Sequence, residues 1–435
     1  MTKLIFLQLN ELNFDVVRQY AVRHSLPSFS RLLSGYRSLE TFAEDKYAEL
    51  EPWIQWVSVH TGKSYAEHEV FRLGDIVHTS LPQVFELIEA KGLRVGALSP
   101  MNARNAMSRP AYFVPDPWTQ TGHDAWGFSR RLTDMLRQTV NDNAQQRIST
   151  RSLMTLAEAV IRSFDRAGTF GLLRLIAASR GKPWIKALVL DSLLHLVHKM
   201  YLRRTKPDVS FVFFNAGAHI QHHYFFNSEF AGASLRNPSW YVEPTADPVL
   251  DMLHLYDHLL GEYMAMADRG TRLIVATGLT QVPYERVKFY YRLKHHDSFL
   301  RQLGLSFSTV LPRMTRDFEI VFQTRAEVQT AKRVLAGLRM RKDGMALFNE
   351  IDERGASLFV TLTYPNEVQA GDEVVDEMTR VVLRDFEQQV AFVAIKNGMH
   401  SGKGYAFFSP NVSSTIPDRP VHVASLFELT LTAAT

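Results

Sequence analysis

The sequence predicts an α/β protein in which a mostly parallel central sheet is flanked by helices. Short apolar runs that end in polar or glycine-containing loops are typical of strands buried on both faces of a parallel sheet. Runs of this kind occupy residues 4–9, 93–98, 209–214 and 272–277. Helical periodicity follows the first run from about Asn13 and returns from Ser80 to Lys91, ahead of the second run. Strands and helices that alternate in this way favour parallel pairing, with helices on the faces of the sheet.

Polar residues stand at the ends of three of these predicted strands. Ligands of open α/β sheets bind beyond the carboxyl ends of the strands. We therefore expect Asn10, Asn215 and Thr277 to be neighbours at one rim of the sheet.

Two stretches interrupt the alternation and predict insertions into the α/β core. We expect the core to comprise residues 1–126, 208–300 and 397–435, with a basic helical insertion at 127–207. A smaller α+β cap insertion is expected at 301–396, because strand-like runs near 317–323 and 356–362 flank a helical pattern near 326–338.

The first insertion is strongly basic. From Arg130 to Lys206 it carries fifteen Lys or Arg and five Asp or Glu, a local charge of +10. One interpretation is a helical insertion with a solvated basic face. The other is a cap that attracts an anionic substrate or makes peripheral contact with a membrane surface.

The amino-acid composition limits the kinds of metal ligand and partner to be expected. The chain of 435 residues has no cysteine, so any metal must bind through His, carboxylate or neutral oxygen ligands, which suits zinc or manganese. A net charge of +4 is mild for this length and gives no reason to expect a nucleic-acid partner. The first apolar run is too short for a signal peptide, and no stretch approaches the ~20 apolar residues of a membrane span, so we expect a cytoplasmic protein.

The most informative motif is a histidine cluster just after the predicted strand at 209–214. His219 and His223 are four residues apart, so one helical turn places both imidazoles on the same face. This is a usual way to present two nitrogens to one metal ion, although single histidines more often belong to the core. His222 points elsewhere in that geometry and is a candidate for a supporting or substrate-binding role.

Two weaker motifs complete the set. His400 stands in a glycine-rich loop between Lys396 and Tyr405, whose flexible backbone allows it to reach distant partners. The segment from Glu49 to Gly62 combines carboxylates, tryptophans and a Thr-Gly helix end, and its plain interpretation is an amphipathic helix with core tryptophans. Its Thr-Gly-Lys-Ser end lacks the upstream glycine of a phosphate-binding loop, so we reject that match.

Taken in chain order, these segments resemble the alkaline phosphatase superfamily, especially its type I phosphodiesterase and nucleotide pyrophosphatase branch. Members have a strand ending in a metal-binding Asp, a nucleophile at the start of a helix that ends in Thr-Gly, and a His soon after. An Asp-x-x-x-His motif, a Ser-Asp-His-Gly motif and a Gly-x-His loop follow. The matching segments in this chain are Thr61-Gly62 with His68, the His219/His223 pair, the strand ending in Thr277, and Met399-His400.

Several family positions are occupied by other residues in this chain. Asn10, with Glu11 beside it, stands for the first Asp, and His219 stands for the Asp of Asp-x-x-x-His. Gly278-Leu279 replaces the Asp-His pair, and the nucleophile position falls at Pro52 or Glu51, where there is no Ser or Thr. The resemblance therefore implies one surviving metal site rather than the usual two.

The resemblance assigns roles as follows. One divalent ion, zinc or alternatively manganese, is expected at His219, His223 and His400. Glu51, Glu11 and His222 are the expected catalytic groups, with either carboxylate acting as general base or as an extra ligand. The expected substrate-binding residues at the same rim are Asn10, Gln55, Gln281, His295 and His296.

The function that follows is a metal-dependent hydrolase or transferase acting on a phosphoryl or related ester of a small molecule or glycan. One alternative is a catalytically degenerate protein that keeps the fold and binds its ligand without turnover. Another is a transferase of different chemistry in surface polysaccharide metabolism. The sequence leaves the oligomeric state open.

Overall fold

The computed structural model describes residues 2–141, 149–230, 235–313, 316–376, 381–412 and 415–435. It divides into two compact units, the first formed by Met1–Pro283 with Gly398–Thr435 and the second by Tyr284–Asn397.

The strands of the described residues are β1 Leu4–Leu9, β2 Arg37–Phe42, β3 Val95–Leu98, β4 Tyr112–Val114, β5 Val209–Phe214, β6 Arg272–Ala276, β7 Thr280–Leu293, β8 Thr309–Pro312, β9 Asp317–Val321, β10 Leu338–Met340, β11 Glu350–Arg354, β12 Ser357–Thr361, β13 Val374–Asp376, β14 Val382–Leu383, β15 Val390–Ser401, β16 Lys403–Phe408 and β17 Val421–His422. The helices are α1 Phe14–Arg23, α2 Pro27–Gly35, α3 Pro52–Thr61, α4 Tyr65–His68, α5 Val84–Ala90, α6 Gly127–Asn141, α7 Thr150–Arg162, α8 Arg166–Ala178, α9 Ile185–Thr205, α10 Ala216–Tyr224, α11 Pro248–Ala267, α12 His296–Gln302, α13 Arg325–Gly337, α14 Phe386–Gln389 and α15 Leu426–Ala434.

The first unit is built on an eight-stranded sheet with the order β17-β2-β16-β6-β1-β5-β3-β4. The five strands from β6 to β4 are parallel to one another. β16 runs antiparallel to both of its neighbours, β6 and β2, and β17 pairs parallel with β2. The predicted fold class, an α/β fold with a mostly parallel central sheet, is confirmed.

Both faces of the sheet are covered, which explains the continuous apolar runs in the central strands. All six residues of β1 and of β5 are buried. Alternate residues of β1 enter two separate cores: Ile5 and Leu7 pack in the core that includes α1, α9 and α11, and Leu4 and Phe6 pack in the core that includes α3, α5 and α15. This arrangement is the usual one for parallel sheets, in which helices protect both faces from water.

The stretch predicted as a basic helical insertion forms the helices α6 to α9 and belongs to the first unit. Part of this stretch, 142–148, lies outside the described residues. α9 packs under the sheet, where its Leu188, Leu193 and Val197 join the large core. The described part of the predicted insertion is therefore helical and is anchored to the sheet through α9.

The second unit contains a four-stranded antiparallel sheet in the order β11-β12-β9-β8 and a three-stranded antiparallel sheet in the order β10-β13-β14. The predicted helix near 326–338 is α13, whose first turn is capped by Thr324 and Glu327. The unit begins at Tyr284 rather than at the expected 301, because β7 runs on to Leu293 and pairs with β15. His295 and His296, which the sequence analysis assigned to the core, therefore belong to the second unit.

Candidate metal centre

The carboxyl ends of β1, β5 and β6 meet at one rim of the central sheet. The side-chain amide of Asn10, which follows β1, donates to Oδ1 of Asn215, which follows β5, at 2.9 Å. The backbone N–H of Glu11 donates to the carbonyl oxygen of Thr277, which follows β6, at 3.0 Å. The expected neighbourhood of Asn10, Asn215 and Thr277 is therefore confirmed.

Glu11, at this rim, adopts an uncommon backbone conformation. Its φ is +57°, in the left-handed region that non-glycine residues rarely adopt. The turn is held on both sides, because Gln221 Nε2 also donates to the carbonyl oxygen of Glu11 at 2.9 Å. Strained residues of this kind persist where the surrounding contacts fix them, and they are concentrated at functional sites. The turn leaves the Glu11 carboxylate buried at the end of the central strand, with its side chain only 2% exposed.

Two histidines meet the Glu11 carboxylate. His222 Nε2 and His400 Nε2 each lie 3.2 Å from Glu11 Oε2, and the two nitrogens are 3.3 Å from each other. The three donor atoms thus form a nearly equilateral triangle. Among the described residues, this group is the one whose carboxylate and imidazole atoms converge closely enough to hold a metal ion.

The donor set fits a divalent metal in both chemistry and spacing. One carboxylate oxygen and two imidazole nitrogens are ligands that zinc and manganese accept. Ligands around a tetrahedral zinc ion with bonds of about 2.0 Å are separated by about 3.3 Å, which matches the observed triangle. Three acceptor atoms at these distances repel one another, so the spacing is compatible either with a bound cation or with protons on the two imidazole nitrogens.

A shell of hydrogen bonds orients the Glu11 carboxylate. Gln281 Nε2 donates to Oε2 at 2.6 Å, and Asn10 Nδ2 donates to Oε1 at 3.0 Å. Asn10 is itself held by Trp56, whose indole N–H donates to Oδ1 at 2.7 Å. Such supporting bonds fix the direction in which a carboxylate presents its remaining lone pairs to a metal. Asn10 and Gln281, expected to bind substrate, are fully buried here and contact Glu11 instead.

Electrostatics keep Glu11 ionised. Burial alone would raise the pKa of its carboxyl, but the charges of His222 and His400 and their hydrogen bonds outweigh burial and hold that pKa well below its usual range. A buried carboxylate that stays ionised needs a positive partner. Glu11 therefore supplies a fixed negative charge beneath the two imidazoles.

The helix α10 delivers His222 and is anchored at its beginning by Asp191 of α9. The Asp191 carboxylate accepts hydrogen bonds from the backbone N–H groups of Ala216 at 2.8 Å and Asn215 at 3.3 Å, and from the Tyr256 hydroxyl at 2.7 Å. These N–H groups have no partner within the helix, and a negative charge there also complements the helix dipole. Asp191 thereby fixes the position from which His222 reaches the cluster.

His400 reaches the cluster from the end of β15, and its other ring nitrogen faces Glu51. His400 Nδ1 lies 3.6 Å from Oε2 of Glu51, the residue just before α3. The side chains of His222 and Glu51 are each 31% exposed, whereas that of His400 is 11% exposed. The cluster is therefore buried on the Glu11 side and accessible to water beside His222 and Glu51.

Two of the three metal ligands expected from the sequence lie outside the group of three converging donor atoms. His219 and His223 do share a face of α10, with ring centroids 4.9 Å apart, but neither belongs to the group formed by Glu11, His222 and His400. Successive helix positions are separated by about 100°, so a rotation of α10 by part of a turn decides which histidine faces Glu11. Burial, together with the charge of His222, lowers the pKa of His219 to about 4.

The remaining candidates, Gln55, His295 and His296, each have contacts of their own. Gln55 is fully buried, and its side-chain amide donates to the carbonyl oxygen of Glu49 at 2.9 Å. His296 is buried against the Phe318 ring in the second unit, where burial lowers its pKa to about 4, with smaller contributions from Arg292 and His295. His295 is exposed at the beginning of α12 in the same unit.

Comparisons with known proteins give matches among solved structures alone. No family model matches the chain, and no curated protein matches it. A phosphonoacetate hydrolase from Sinorhizobium meliloti 1021, in complex with phosphonoformate, is 12% identical, with 100% of this chain and 96% of that chain covered and a TM-score of 0.41. Murine ectonucleotide pyrophosphatase/phosphodiesterase 5 is 11% identical, with 99% and 94% covered and a TM-score of 0.41.

The alkaline phosphatase PafA is 10% identical, with 98% of this chain and 95% of that chain covered and a TM-score of 0.44. These neighbours are members of the alkaline phosphatase superfamily, the same family that the order of the sequence motifs resembles. Because the TM-scores are below 0.5, the function proposed below rests on the residues of the site.

Proposed function

We propose that this chain is a metal-dependent enzyme that hydrolyses or transfers a phosphoryl or related ester group. The observation that carries the proposal is the convergence of Glu11 Oε2, His222 Nε2 and His400 Nε2 at 3.2–3.3 Å from one another. The cluster lies at the carboxyl ends of the central strands, where open α/β sheets bind their ligands.

Glu11, His222 and His400 would hold the ion, and zinc fits this donor set, with manganese as the alternative. A divalent ion held there supplies Lewis acidity, which polarises a phosphoryl oxygen and lowers the pKa of water. Three protein ligands would leave such an ion able to bind water or substrate. His222 and Glu51 are the partly exposed side chains of the cluster, so water or substrate would approach beside them.

Other residues of the chain would accept a proton and orient the Glu11 carboxylate. Glu51 stands at the accessible side of the cluster, where its carboxylate is positioned to accept a proton from an attacking water or hydroxyl group. α3 starts with Pro52, so no Ser or Thr hydroxyl stands at the start of this helix for covalent catalysis. We therefore favour direct attack by water or by an acceptor hydroxyl. Gln281 and Asn10 keep the Glu11 carboxylate in a fixed orientation throughout.

A binding protein without turnover is the second candidate, and one observation favours it. Members of the resembled superfamily use two metals and a nucleophile, whereas the described residues offer a single cluster of metal-ligating side chains and Pro52 or Glu51 at the nucleophile position. Such a protein would bind metal and phosphoester and release the ester unchanged. The ligand in either case would be a small-molecule or glycan phosphoester.

The experiment that tests the proposal is elemental analysis of purified protein, followed by a hydrolysis screen. We expect about one equivalent of zinc or manganese in the wild type, and little in Glu11→Gln, His222→Ala and His400→Ala. His219→Ala and His223→Ala are matched controls on the same helix and should retain the metal. This comparison separates the proposed ligand set from the set expected from the sequence.

Proteins loaded with zinc or manganese are then assayed with bis-p-nitrophenyl phosphate and p-nitrophenyl phosphate. Hydrolysis that disappears with the metal in His222→Ala supports the enzyme. Metal binding without hydrolysis of any phosphoester supports the binding protein. A wild type that takes up no metal, even after reconstitution, contradicts both.

A further inference from the structure

The helix α7 presents several large apolar side chains to solvent, whereas Leu156 and Val160 pack against the core. Ser152, Thr155, Ala159 and the adjoining Ser163 are buried. Large apolar side chains are among the exposed ones, and those with the greatest exposure are Met154 at 62%, Ile161 at 74% and, just beyond the helix, Phe164 at 63%. A surface helix normally directs its large apolar side chains to the core rather than to solvent.

The next helix, α8, continues the same pattern. Phe170 is 57% exposed, Leu173 is 55% exposed and Ile176 is 41% exposed. Of the sixteen large hydrophobic side chains exposed in the described part of the chain, seven lie between residues 153 and 176. Single exposed hydrophobic residues are ordinary, but a concentration of them marks an interaction site. We call these seven residues the α7–α8 surface: Leu153, Met154, Ile161, Phe164, Phe170, Leu173 and Ile176.

Positive charge accompanies the α7–α8 surface. Residues 149–186 contain seven Lys or Arg and two Asp or Glu, a net charge of +5. Both acids are engaged by cations, Glu158 by Arg131 and Arg162, and Asp165 by Lys199. The negative charge of this segment is therefore already compensated within the protein.

Several of the arginines remain available. Arg166, Arg174 and Arg180 are exposed, and no carboxylate of the described residues lies within ion-pair distance of them. The Arg174 guanidinium lies 4.4 Å from the centre of the Phe170 ring, so cationic and apolar groups are adjacent on α8. The segment thus combines exposed apolar side chains with arginines that have no acidic partner.

We propose that the α7–α8 surface binds peripherally to a bilayer that contains anionic lipids. Helices that lie in the membrane interface combine large apolar side chains, which enter the boundary between headgroups and acyl chains, with Lys and Arg, which contact lipid phosphates. Charge selects this partner over a second copy of the chain, because two surfaces of net charge +5 repel each other. Among the described residues, no helix is both long and apolar enough to cross a bilayer. The proposal is independent of the metal centre.

The test is co-sedimentation of the full chain with vesicles of phosphatidylcholine alone and vesicles that also contain phosphatidylserine. The variants are Ile161→Ser/Phe164→Ser, which removes apolar contacts, and Arg174→Gln/Arg180→Gln, which removes charge. Val22→Ser is the matched control, because Val22 is a 90% exposed apolar residue on α1. Circular dichroism and urea unfolding of each variant verify that the fold is intact.

We expect the wild type and Val22→Ser to sediment with the anionic vesicles and not with phosphatidylcholine alone. Each removed arginine should weaken the association about fivefold, and the apolar double variant should weaken it by more than about tenfold. Equal binding to both vesicle types, or binding that the double variants leave unchanged, overturns the proposal. So does a wild-type dimer, detected by light scattering without lipid, that Ile161→Ser/Phe164→Ser converts to a monomer, because the surface then belongs to a second copy.

Discussion

Gly398 approaches the side chain of Gln281 so closely that there is no space for a Cβ atom between them. A methyl group built on Gly398 would overlap Oε1 of Gln281 and lie 2.7 Å from the carbonyl oxygen of Gln221. The side-chain amide of Gln281 donates a hydrogen bond to the Glu11 carboxylate, and that of Gln221 donates to the Glu11 carbonyl oxygen. Gly398, two residues before His400, thus allows the strand that carries His400 to lie directly against Gln281 and Gln221.

Gly398→Ala should therefore be destabilising and should also disturb the metal centre. Overpacking of a tight interior typically costs about 1–3 kcal/mol, and the shift of Gln281 should weaken metal binding. Gly402→Ala is the matched control, because a Cβ there meets nothing closer than 3.5 Å. Urea unfolding and metal content of both variants provide the measurement. Equal stability of the two variants would show that the close approach is absent in solution.

Gln281 itself should control metal affinity. Gln281→Leu keeps the approximate volume but removes the N–H that donates to Glu11 Oε2 at 2.6 Å. Loss of a group that orients a metal ligand typically weakens affinity about 10–100-fold, and competition with a chromogenic chelator measures the change. Gln55→Leu is the control, because Gln55 is equally buried but donates to the backbone of Glu49. If both variants bind metal like the wild type, Gln281 has no positioning role.

Much of the fold follows from local patterns in the sequence. The runs of β1 and β5 are apolar throughout because both faces of these strands are covered, and this signal is independent of distant residues. The meeting of Asn10 with Asn215 also follows, since parallel strands end at the same rim. The extent of the second unit was less predictable, because β7 continues beyond residue 283 through its pairing with β15.

The site was predictable in its residues but not in their grouping. Glu11, His222 and His400 are all recognisable as candidates, since each follows or adjoins a strand or a glycine-rich loop. The four-residue spacing of His219 and His223 indicates a shared helix face, and the structure shows that face. It does not indicate how α10 is rotated about its axis, which is set by distant contacts such as Gln221 with Glu11. Local periodicity gives relative directions on a helix, whereas tertiary packing gives absolute ones.

Glu51 should be required for turnover but not for metal binding. Glu51→Gln removes a proton acceptor at the accessible side of the cluster, and loss of a general base typically lowers kcat about 10²–10⁴-fold. Metal content should stay at the wild-type level, because the three donor atoms belong to Glu11, His222 and His400. Glu49→Gln, which changes a nearby carboxylate paired with Lys46, is the control and should retain activity. Loss of metal from Glu51→Gln would instead make Glu51 a ligand.

Asp191 should make stability depend on pH. Burial raises the pKa of its carboxyl from 3.8 to about 6, although hydrogen bonds from Ala216, Tyr256 and Asn215 partly oppose the effect. Between these two pH values the folded state holds a proton that the unfolded state has released. The free energy of unfolding therefore falls as pH rises through this window, by on the order of 3 kcal/mol in total.

Urea unfolding of the wild type and Asp191→Asn from about pH 4 to about pH 7 isolates this contribution, because the other titrating groups are common to both proteins. The asparagine cannot ionise, so relative to the variant the wild type should lose stability as pH rises, with the change nearly complete by about pH 7. The substituted side chain presents an N–H₂ group to one of the backbone donors at the start of α10, so the variant should be less stable than the protonated wild type at the acidic end. If the difference in unfolding free energy between the wild type and Asp191→Asn stays constant across this range, Asp191 titrates outside it. Its negative charge is then compensated in the folded protein by more than the three hydrogen bonds at the start of α10.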